Sequence, residues 1–393
     1  MNNKHPSNRV VVVAARRSAI SKIPGILNYV NEVDLLSTVF RTVSEGLCEW
    51  IDSAITGSSF PIERDNLCRK AVLASGMSSR INCATISKTC ASSDEALYVA
   101  YTKILSGKSQ AVLVGGCEKV SNSSYVLRHM KNRVNDSSKG QLPLLHDIQQ
   151  TYTENDMHYI AEILANKQKI SREEQDSFAT KSRLNARRAY ESHYFDKEII
   201  PIPDPNNDNG FFYADELIQQ IIDGKHMDNK TPIFIQNGTL TNYNTSPMCD
   251  CAAAMVVMNY ETARIAGLKI LAEIKDVSCI GVSQEETGMA MERCVEKILQ
   301  VNNLKKRDID LYEINESFAA QAIAVIRALG INPDNVNVNG GNLALGYPIG
   351  ASGLRMCVTL IHEMIRSGVE YGVSSMCGGG AMANAVLIQN IFG

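Results

Sequence analysis

Cys90-Ala91-Ser92-Ser93, Ile104-Leu105-Ser106-Gly107 and Gly115-Gly116-Cys117 follow one another in the first half of the chain; Gly350-Ala351-Ser352-Gly353, Ile365-Arg366-Ser367-Gly368 and Cys377-Gly378-Gly379-Gly380 do so in the second. Each trio reads as a small-residue turn, a helix that stops at Ser-Gly, and an apolar strand that ends in small residues. One order repeated at two places points to an internally duplicated fold, although two such loose patterns can also coincide by chance. Working outward, residues 9–15, 110–115 and 252–258 are short apolar runs of the kind that form strands buried on both faces. Residues 269–277, 308–313, 335–338 and 372–376 are the strand candidates of the second half, with intervening stretches long enough for crossover helices. The fold class this predicts is α/β.

With 393 residues, the chain is long enough for two or three units of about 100–200 residues each. Hydrophobic residues at 45% and charged residues at 21% allow a large core, and a net charge of −3 leaves no basic excess to neutralise a phosphate backbone, so no nucleic-acid partner is expected. The polar first nine residues lack the apolar core of a signal peptide, and no run approaches the ~18 apolar residues of a spanning helix. A cytoplasmic protein without a membrane span is the expectation. Its 11 cysteines are scattered and odd in number, which suits reduced thiols rather than a disulfide scaffold. No C-x-x-C pair occurs, and the closest spacing is Cys249-Asp250-Cys251, so no metal site is expected. Residues 121–245 are polar, rich in Asn, Asp and Lys, and read as an inserted loop domain. Within it, Ser171-Arg172-Glu173-Glu174 is a capping-box pattern opening a helix toward Glu191, and residues 201–210 read as a loop. The division expected is 1–120 with 246–268 as one half, 121–245 as the insertion, and 269–393 as the other half.

Cys90 stands where a strand or loop turns into a helix. The positive end of a helix favours a thiolate, so this position suits a nucleophile, although a lone cysteine is more often a packing residue. Other chemistries lack their motifs: there is no G-x-G-x-x-G after the first strand and no G-x-S-x-G, and Gly107-Lys108-Ser109 has Thr102 where a phosphate loop needs its first glycine.

Asn315-Glu316-Ser317-Phe318-Ala319, the run from Asn339-Gly340-Gly341-Asn342 through Gly346-Tyr347-Pro348 to Gly353, and Cys377-Gly378-Gly379-Gly380 resemble the C-terminal signatures of the thiolases, and Cys90-Ala91-Ser92 is similar to their nucleophile motif. Further matches at residues 11–16, Gly115-Gly116, Met157, residues 171–176, residues 237–241, Ser246 and residues 250–253 spread the resemblance over nearly the whole chain. It implies a five-layer αβαβα fold with two central helices between mixed sheets and a loop domain above the site. It also implies acyl transfer between coenzyme A thioesters by Claisen condensation or its thiolytic reverse, with coenzyme A as substrate and product, no cofactor, and a homodimer or homotetramer. Carried over residue by residue, Cys90 would take the acyl group and Cys377 would be the acid/base at the α-carbon. Asn315 would help hold a water in one oxyanion hole, the backbone amides of Cys90 and Gly379 would form the other, and Met157, Ser246, Phe318 and Ala319 would line the substrate. Plainer readings stay open: Asn315 as a helix N-cap, Cys377 as a small buried residue, and residues 378–380 as a tight turn.

The departures are chemical. Where thiolases carry a histidine between Gly346 and Pro348, this chain has Tyr347, whose phenol can donate a hydrogen bond but is a poor acceptor of a thiol proton. Asp156 replaces a second family histidine, and a carboxylate near Cys90 would raise the thiol pKa. His158, two positions on, is not assumed to substitute for it. Ser93 and Asp94 stand for a glycine and an apolar residue, Ala381 and Ala383 for glycines, and Gln219 for an arginine near the nucleotide end of coenzyme A. Two readings follow: a thiolase-type acyltransferase with Tyr347 as an atypical oxyanion donor, and an impaired paralogue that binds acyl-CoA or a partner protein.

Overall fold

The fold comes from a computed structural model that describes residues 9–60, 66–122, 157–204, 210–222 and 231–391. Nine strands carry it: β1 (Val10–Ser18), β2 (Ser53–Gly57), β3 (Asn82–Ile86), β4 (Ala111–Glu118), β5 (Cys249–Asn259), β6 (Ala272–Gly281), β7 (Leu311–Ile314), β8 (Tyr371–Gly378) and β9 (Met382–Gln389). They form one hydrogen-bonded path in the order β7-β8-β9-β6-β1-β5-β4-β2-β3, to which the two-residue strands Ser21–Lys22 and Ile199–Ile200 attach. The first half runs β1-β5-β4-β2-β3 with senses antiparallel, antiparallel, parallel, parallel. The second half runs β6-β9-β8-β7 with senses antiparallel, antiparallel, parallel, then a single parallel bridge from Tyr312 to Val336. The duplication read from the sequence is therefore a duplication of topology. The two halves are sewn together where Val10, Val11 and Val12 pair with Ile274, Glu273 and Ala272.

Alternation along the strands builds the layers. Val11, Leu113, Val256 and Met258 pack under α1 (Glu32–Val43) and α2 (Leu67–Ala74) on one face of the first half. Val10, Val12, Val112, Val114, Met255 and Val257 point the other way, into a core shared with α3 (Ser92–Leu105) and α9 (Ser352–Ser367) and with Ile274, Val386 and Ile388 of the second half. Beyond that half, α7 (Ala290–Val301) and α8 (Ala319–Leu329) cover Val373, Ala383, Ala385 and Leu387. Five layers result, with α3 and α9 in the middle. Both repeated Ser-Gly stops end these central helices, with Gly107 at φ 69° and Gly368 at φ 68°, a left-handed conformation that glycine adopts without strain. Between β4 and β5 in the chain, α4 (Met157–Lys167) and α5 (Arg172–Glu191) pack on α8, while α6 (Glu216–Ile222) packs on α5. Ser171 caps α5 by accepting from Glu174 N at 3.2 Å.

Several elements differ from the expectation. Residues 335–338 form no strand: Asn337 adopts φ 47° and its side-chain amide pairs with both Ile314 N and Ile314 O at 2.8 Å, standing in for a strand's backbone. Strands β2, β3 and β9 were not anticipated, because Ser53-Ala54-Ile55-Thr56-Gly57 and Asn82-Cys83-Ala84-Thr85-Ile86 are short and semi-polar. Residues 201–210 are not wholly loop, since Ile202–Pro203 pairs with Phe211–Phe212. Asp156 lies outside the described residues.

The unusual Ser93 and Asp94 sit where α3 meets α9. Ser93 Oγ accepts from Leu354 N at 3.0 Å, and Asp94 presses its carboxyl against Gly353, where a Cβ would come within 2.3 Å of it. Asp94 is buried with Oδ1 unpartnered, and burial lifts its pKa from the usual 3.8 to about 7. The fold thus prefers the neutral acid. Between pH 4 and 7 the folded chain keeps a proton that the unfolded chain has lost, so stability falls as pH rises through this range and stays lost above it. Asp94→Asn is expected to raise the free energy of unfolding at pH 8, by about 4 kcal/mol at most, with the gain fading toward pH 5. Denaturant titrations at the two pH values check this; an equal effect at both would refute it.

Candidate active site

The Cys90 loop is held from both halves of the molecule. Thr89, just before the cysteine, adopts φ 50°, a costly conformation for a β-branched residue, and its hydroxyl donates to Lys88 O at 2.7 Å. Lys88 Nζ reaches Glu95 on α3 at 2.6 Å and Asn384 on β9 at 2.9 Å, tying the loop to the hairpin that carries Cys377. Beneath it, the buried Glu118 carboxylate at the end of β4 accepts from Ser59 N, Phe60 N and Gly350 N at 2.8–3.1 Å.

Tyr347 approaches from the opposite side. Its backbone is pinned to the start of β5, with Tyr347 N donating to Pro247 O at 2.9 Å and Cys249 N donating to Tyr347 O at 3.1 Å. The preceding Gly346 has φ 102° and faces Cys249 Sγ so closely that a Cβ would lie 2.3 Å from it, so only glycine fits there. The Tyr347 ring packs with Cys90, Ala91, Ile349, Met356 and Met376. Its hydroxyl lies against the Cys90 thiol and the Ser317 hydroxyl yet completes a hydrogen bond with neither, and it is buried.

Cys377, at the end of β8, receives a hydrogen bond from Asn315 Nδ2 at 3.2 Å. Ser317 Oγ lies 3.7 Å from the same sulfur and Gln321 Oε1 lies 3.8 Å from it. The orientation of the Asn315 amide follows from chemistry. Arg355 can only donate, so it fixes Asn342 Oδ1 toward itself; Asn342 Nδ2 then donates to Asn315 Oδ1 at 2.6 Å, leaving Asn315 Nδ2 to face Cys377 and, at 2.7 Å, Ser317 Oγ. Asn315 is not an N-cap, since α8 begins at Ala319 with Phe318 before it. The Gly379 N–H lies on the Cys90 side of the site and favours the anion of that thiol. Cys90, Tyr347, Asn315, Cys377 and Gly379 therefore converge.

The substrate candidates are placed less uniformly. Ser246 joins the site through its backbone, with Ser246 N donating to Ser317 O at 3.1 Å and its hydroxyl donating to Glu316 O. Met157 packs with Phe318, Ala161 and Leu240, and the His158 ring stacks on Phe234 and meets Phe318 edge-on at 5.1 Å. Ala319 is fully buried in a cluster with Leu164, Ile323 and Leu343. Gln219 is exposed on α6.

The helix end does not govern the Cys90 thiol, although its side chain is only partly buried. Burial pushes the Cys90 thiol up to about 12, and the neighbouring Cys377 and Glu118 add to the rise, against the smaller opposing effects of Tyr347 and Gly379. Asp94 and Glu95 in the first turn of α3 also occupy the helix end that was to have favoured the anion. Burial raises Cys377 too, opposed by Ser317 and Asn315. Ser317, Asn342, Gln321, Lys88 and Glu118 were not singled out from the sequence; Ser317 and Asn342 were in view inside the quoted motifs, but their contacts arise from chain crossings that spacing does not reveal.

Two facing thiols with amide donors between duplicated α/β halves are matched by the family models for the thiolase N-terminal domain over residues 10–261 and the thiolase C-terminal domain over residues 268–390. The chain belongs to the thiolase family. This thiolase is 35% identical over 388 residues to the acetyl-CoA acetyltransferase of Cupriavidus necator, covering 97% of this chain and 99% of that protein. Its fold superposes on the Bacillus anthracis acetyl-CoA acetyltransferase with a TM-score of 0.90 at 34% identity, covering 98% of this thiolase and 99% of that chain. Human mitochondrial 3-ketoacyl-CoA thiolase in complex with CoA gives 0.88 at 30% identity, covering 98% of each chain.

Proposed function

We infer that this thiolase is an acyl-CoA acyltransferase that moves an acetyl or other acyl group between coenzyme A thioesters through an acyl-Cys90 intermediate. The acetyltransferase relatives support the activity, and the convergence of Cys90 and Cys377 around Tyr347, Asn315 and Gly379 carries the assignment of roles. Cys90 attacks the thioester carbon. The Cys90 and Gly379 N–H groups meet the charge that develops on the carbonyl oxygen, where fixed donors act most strongly. Cys377 then exchanges a proton with the α-carbon of the second thioester, steadied by Asn315, and Tyr347 supplies a phenol hydrogen-bond donor. Met157, Ser246, Phe318 and Ala319 are assigned to the wall of the substrate passage, and residues 121–245 to a loop domain above it. Coenzyme A is substrate and product. Among the described residues no helix is long and apolar enough to cross a membrane. A cytoplasmic homodimer or homotetramer completes the proposal; the outer strand β3, which among the described residues is paired on one side only, supports association.

Intact-protein mass spectrometry after mixing with acetyl-CoA or acetoacetyl-CoA tests this. The expected result is an acyl adduct that maps to Cys90 and disappears when free coenzyme A is added. A second reading draws on the raised Cys90 thiol and the missing imidazole: a protein that binds acyl-CoA or a partner protein with little turnover. A clean, unmodified mass would favour it.

A further inference from the structure

Among the described residues no base stands against either sulfur: the Glu118 carboxylate acts on Cys90 from beneath the loop, with its oxygens taken up by Ser59, Phe60 and Gly350 N–H. The Tyr347 hydroxyl and the Gly379 N–H lie on the Cys90 side, and the Cys377 sulfur is met by Asn315, Ser317 and Gln321. None of these groups accepts a proton outright at neutral pH. Burial also holds the Tyr347 phenol well above its ordinary range, so a free tyrosinate does not form. Thioester exchange nevertheless requires that the Cys90 proton leave and that the departing coenzyme A sulfur gain one.

Two hydroxyls, those of Tyr347 and Ser317, lie between the two sulfurs, with the Tyr347 hydroxyl hydrogen-bonded to neither neighbour. Tyr347 is 8% exposed and its hydroxyl is unpartnered, lying between Cys90 on one side and Ser317 on the other. Ser317 Oγ in turn stands 3.7 Å from Cys377 Sγ. Asn315 Nδ2 donates to Ser317 Oγ at 2.7 Å, which fills an acceptor position and leaves the serine proton free to turn toward either neighbour. Such contacts are commonly long in a free enzyme and shorten when substrate is bound.

We propose that Tyr347 and Ser317 form a proton relay between Cys90 and Cys377 that takes the place of a fixed base. The proposal rests on the acyl-transfer reading of the site. As the Cys90 sulfur forms its bond to the acyl carbon, its proton passes to the Tyr347 oxygen. The phenol proton passes to Ser317 Oγ, the serine proton to the Cys377 sulfur, and the Cys377 proton to the coenzyme A sulfur whose bond to the acyl carbon breaks. Tyr347, Ser317 and Cys377 each end with the protons they began with, Cys90 ends as a thioester, and coenzyme A leaves as a neutral thiol. No electrons are exchanged with any other species. The reverse transfer runs the same row backward. Ser317 is thereby a catalytic residue, since its hydroxyl touches the reacting Cys377 sulfur.

The test is rapid-quench acylation of Cys90 by acetyl-CoA, read by mass spectrometry in H2O and D2O mixtures, for the full chain and its variants. Ser317→Ala is expected to slow acylation about 10–100-fold with the thermal midpoint and the KM for acetyl-CoA unchanged, and Ser317→Thr to recover most of the rate. The rate of the unmodified enzyme should curve with deuterium fraction because several protons move together, and the dependence should become linear in Ser317→Ala. In a Tyr347→His background, where imidazole takes the thiol proton directly, the same serine change should cost far less. Equal acylation rates with and without the Ser317 hydroxyl, an unchanged isotope dependence, or equal costs in both backgrounds would each overturn the relay alone. Absence of any acyl-Cys90 in the unmodified enzyme would overturn the acyl-transfer reading and the relay together.

Discussion

Tyr347→His is expected to raise acetyl exchange between acetyl-CoA and labelled coenzyme A by about 10²-fold, the low end of what a positioned general base contributes. The site is otherwise furnished for the reaction. Gly379 N–H is already on the Cys90 side of the site, Asn315 is locked by Asn342 and Arg355, and Gly346 aims residue 347 between the two thiols. Imidazole is smaller than the phenol it replaces, so the pocket formed by Ile349, Met356 and Met376 need not expand. The pH profile should change as well. Because the relay passes the Cys90 proton on to the departing coenzyme A sulfur and none to solvent, the rate of the unmodified enzyme should stay level from about pH 6 to about pH 9, below the raised range of the thiol. The histidine variant should level off once its imidazole is neutral, near pH ~7. No gain in exchange would count against catalysis and favour the binding reading.

The largest effect on stability is expected at Arg17. Its guanidinium, at the end of β1, meets Glu198 Oε1 at 2.7 Å and both Asp215 oxygens at 2.8 and 2.9 Å, and all three residues are buried. Burial opposes the arginine charge, but Asp215 and Glu198 more than offset it, so the pKa rises. Both carboxylates lie between residues 121 and 245, so this ion triad ties that stretch of chain to the sheet. Arg17→Met would strand two buried anions and is expected to cost about 3–5 kcal/mol in urea unfolding. Neutralising the partners as well, with Glu198→Gln and Asp215→Asn, should recover much of that loss. A cost below about 1 kcal/mol for Arg17→Met would show that water already reaches the triad.

Much of the architecture was legible because a strand buried on both faces cannot hide in a sequence: residues 252–258 and, after Gln110, residues 111–115 are unbroken apolar runs, and they became parts of the interior strands β5 and β4. The two Ser-Gly stops were equally readable, since a left-handed helix end calls for glycine. Strands β2 and β3 escaped because their order comes from neighbours rather than from their own composition. Residues 335–338 misled for the converse reason, as an apolar-polar alternation whose ladder contacts are made by one asparagine side chain. At the site, the cysteines could be picked out by motif and the balance of charges could not. Whether the end of a helix or the absence of water governs Cys90 depends on what Tyr347, Cys377 and Glu118 do to its surroundings, and those residues lie 257, 287 and 28 positions away in the chain.

The amide of Asn337 has a consequence for growth of the sheet. It occupies both Ile314 N and Ile314 O, and Val336 bridges Tyr312, so that flank of the nine-strand path offers a new strand little to bind. The opposite flank, β3, pairs with β2 alone among the described residues. A molecule with one sticky rim and one blunted rim has a lateral valence of one. Two copies joined rim to rim saturate each other, whereas two sticky rims would invite unlimited ribbon-like polymerisation.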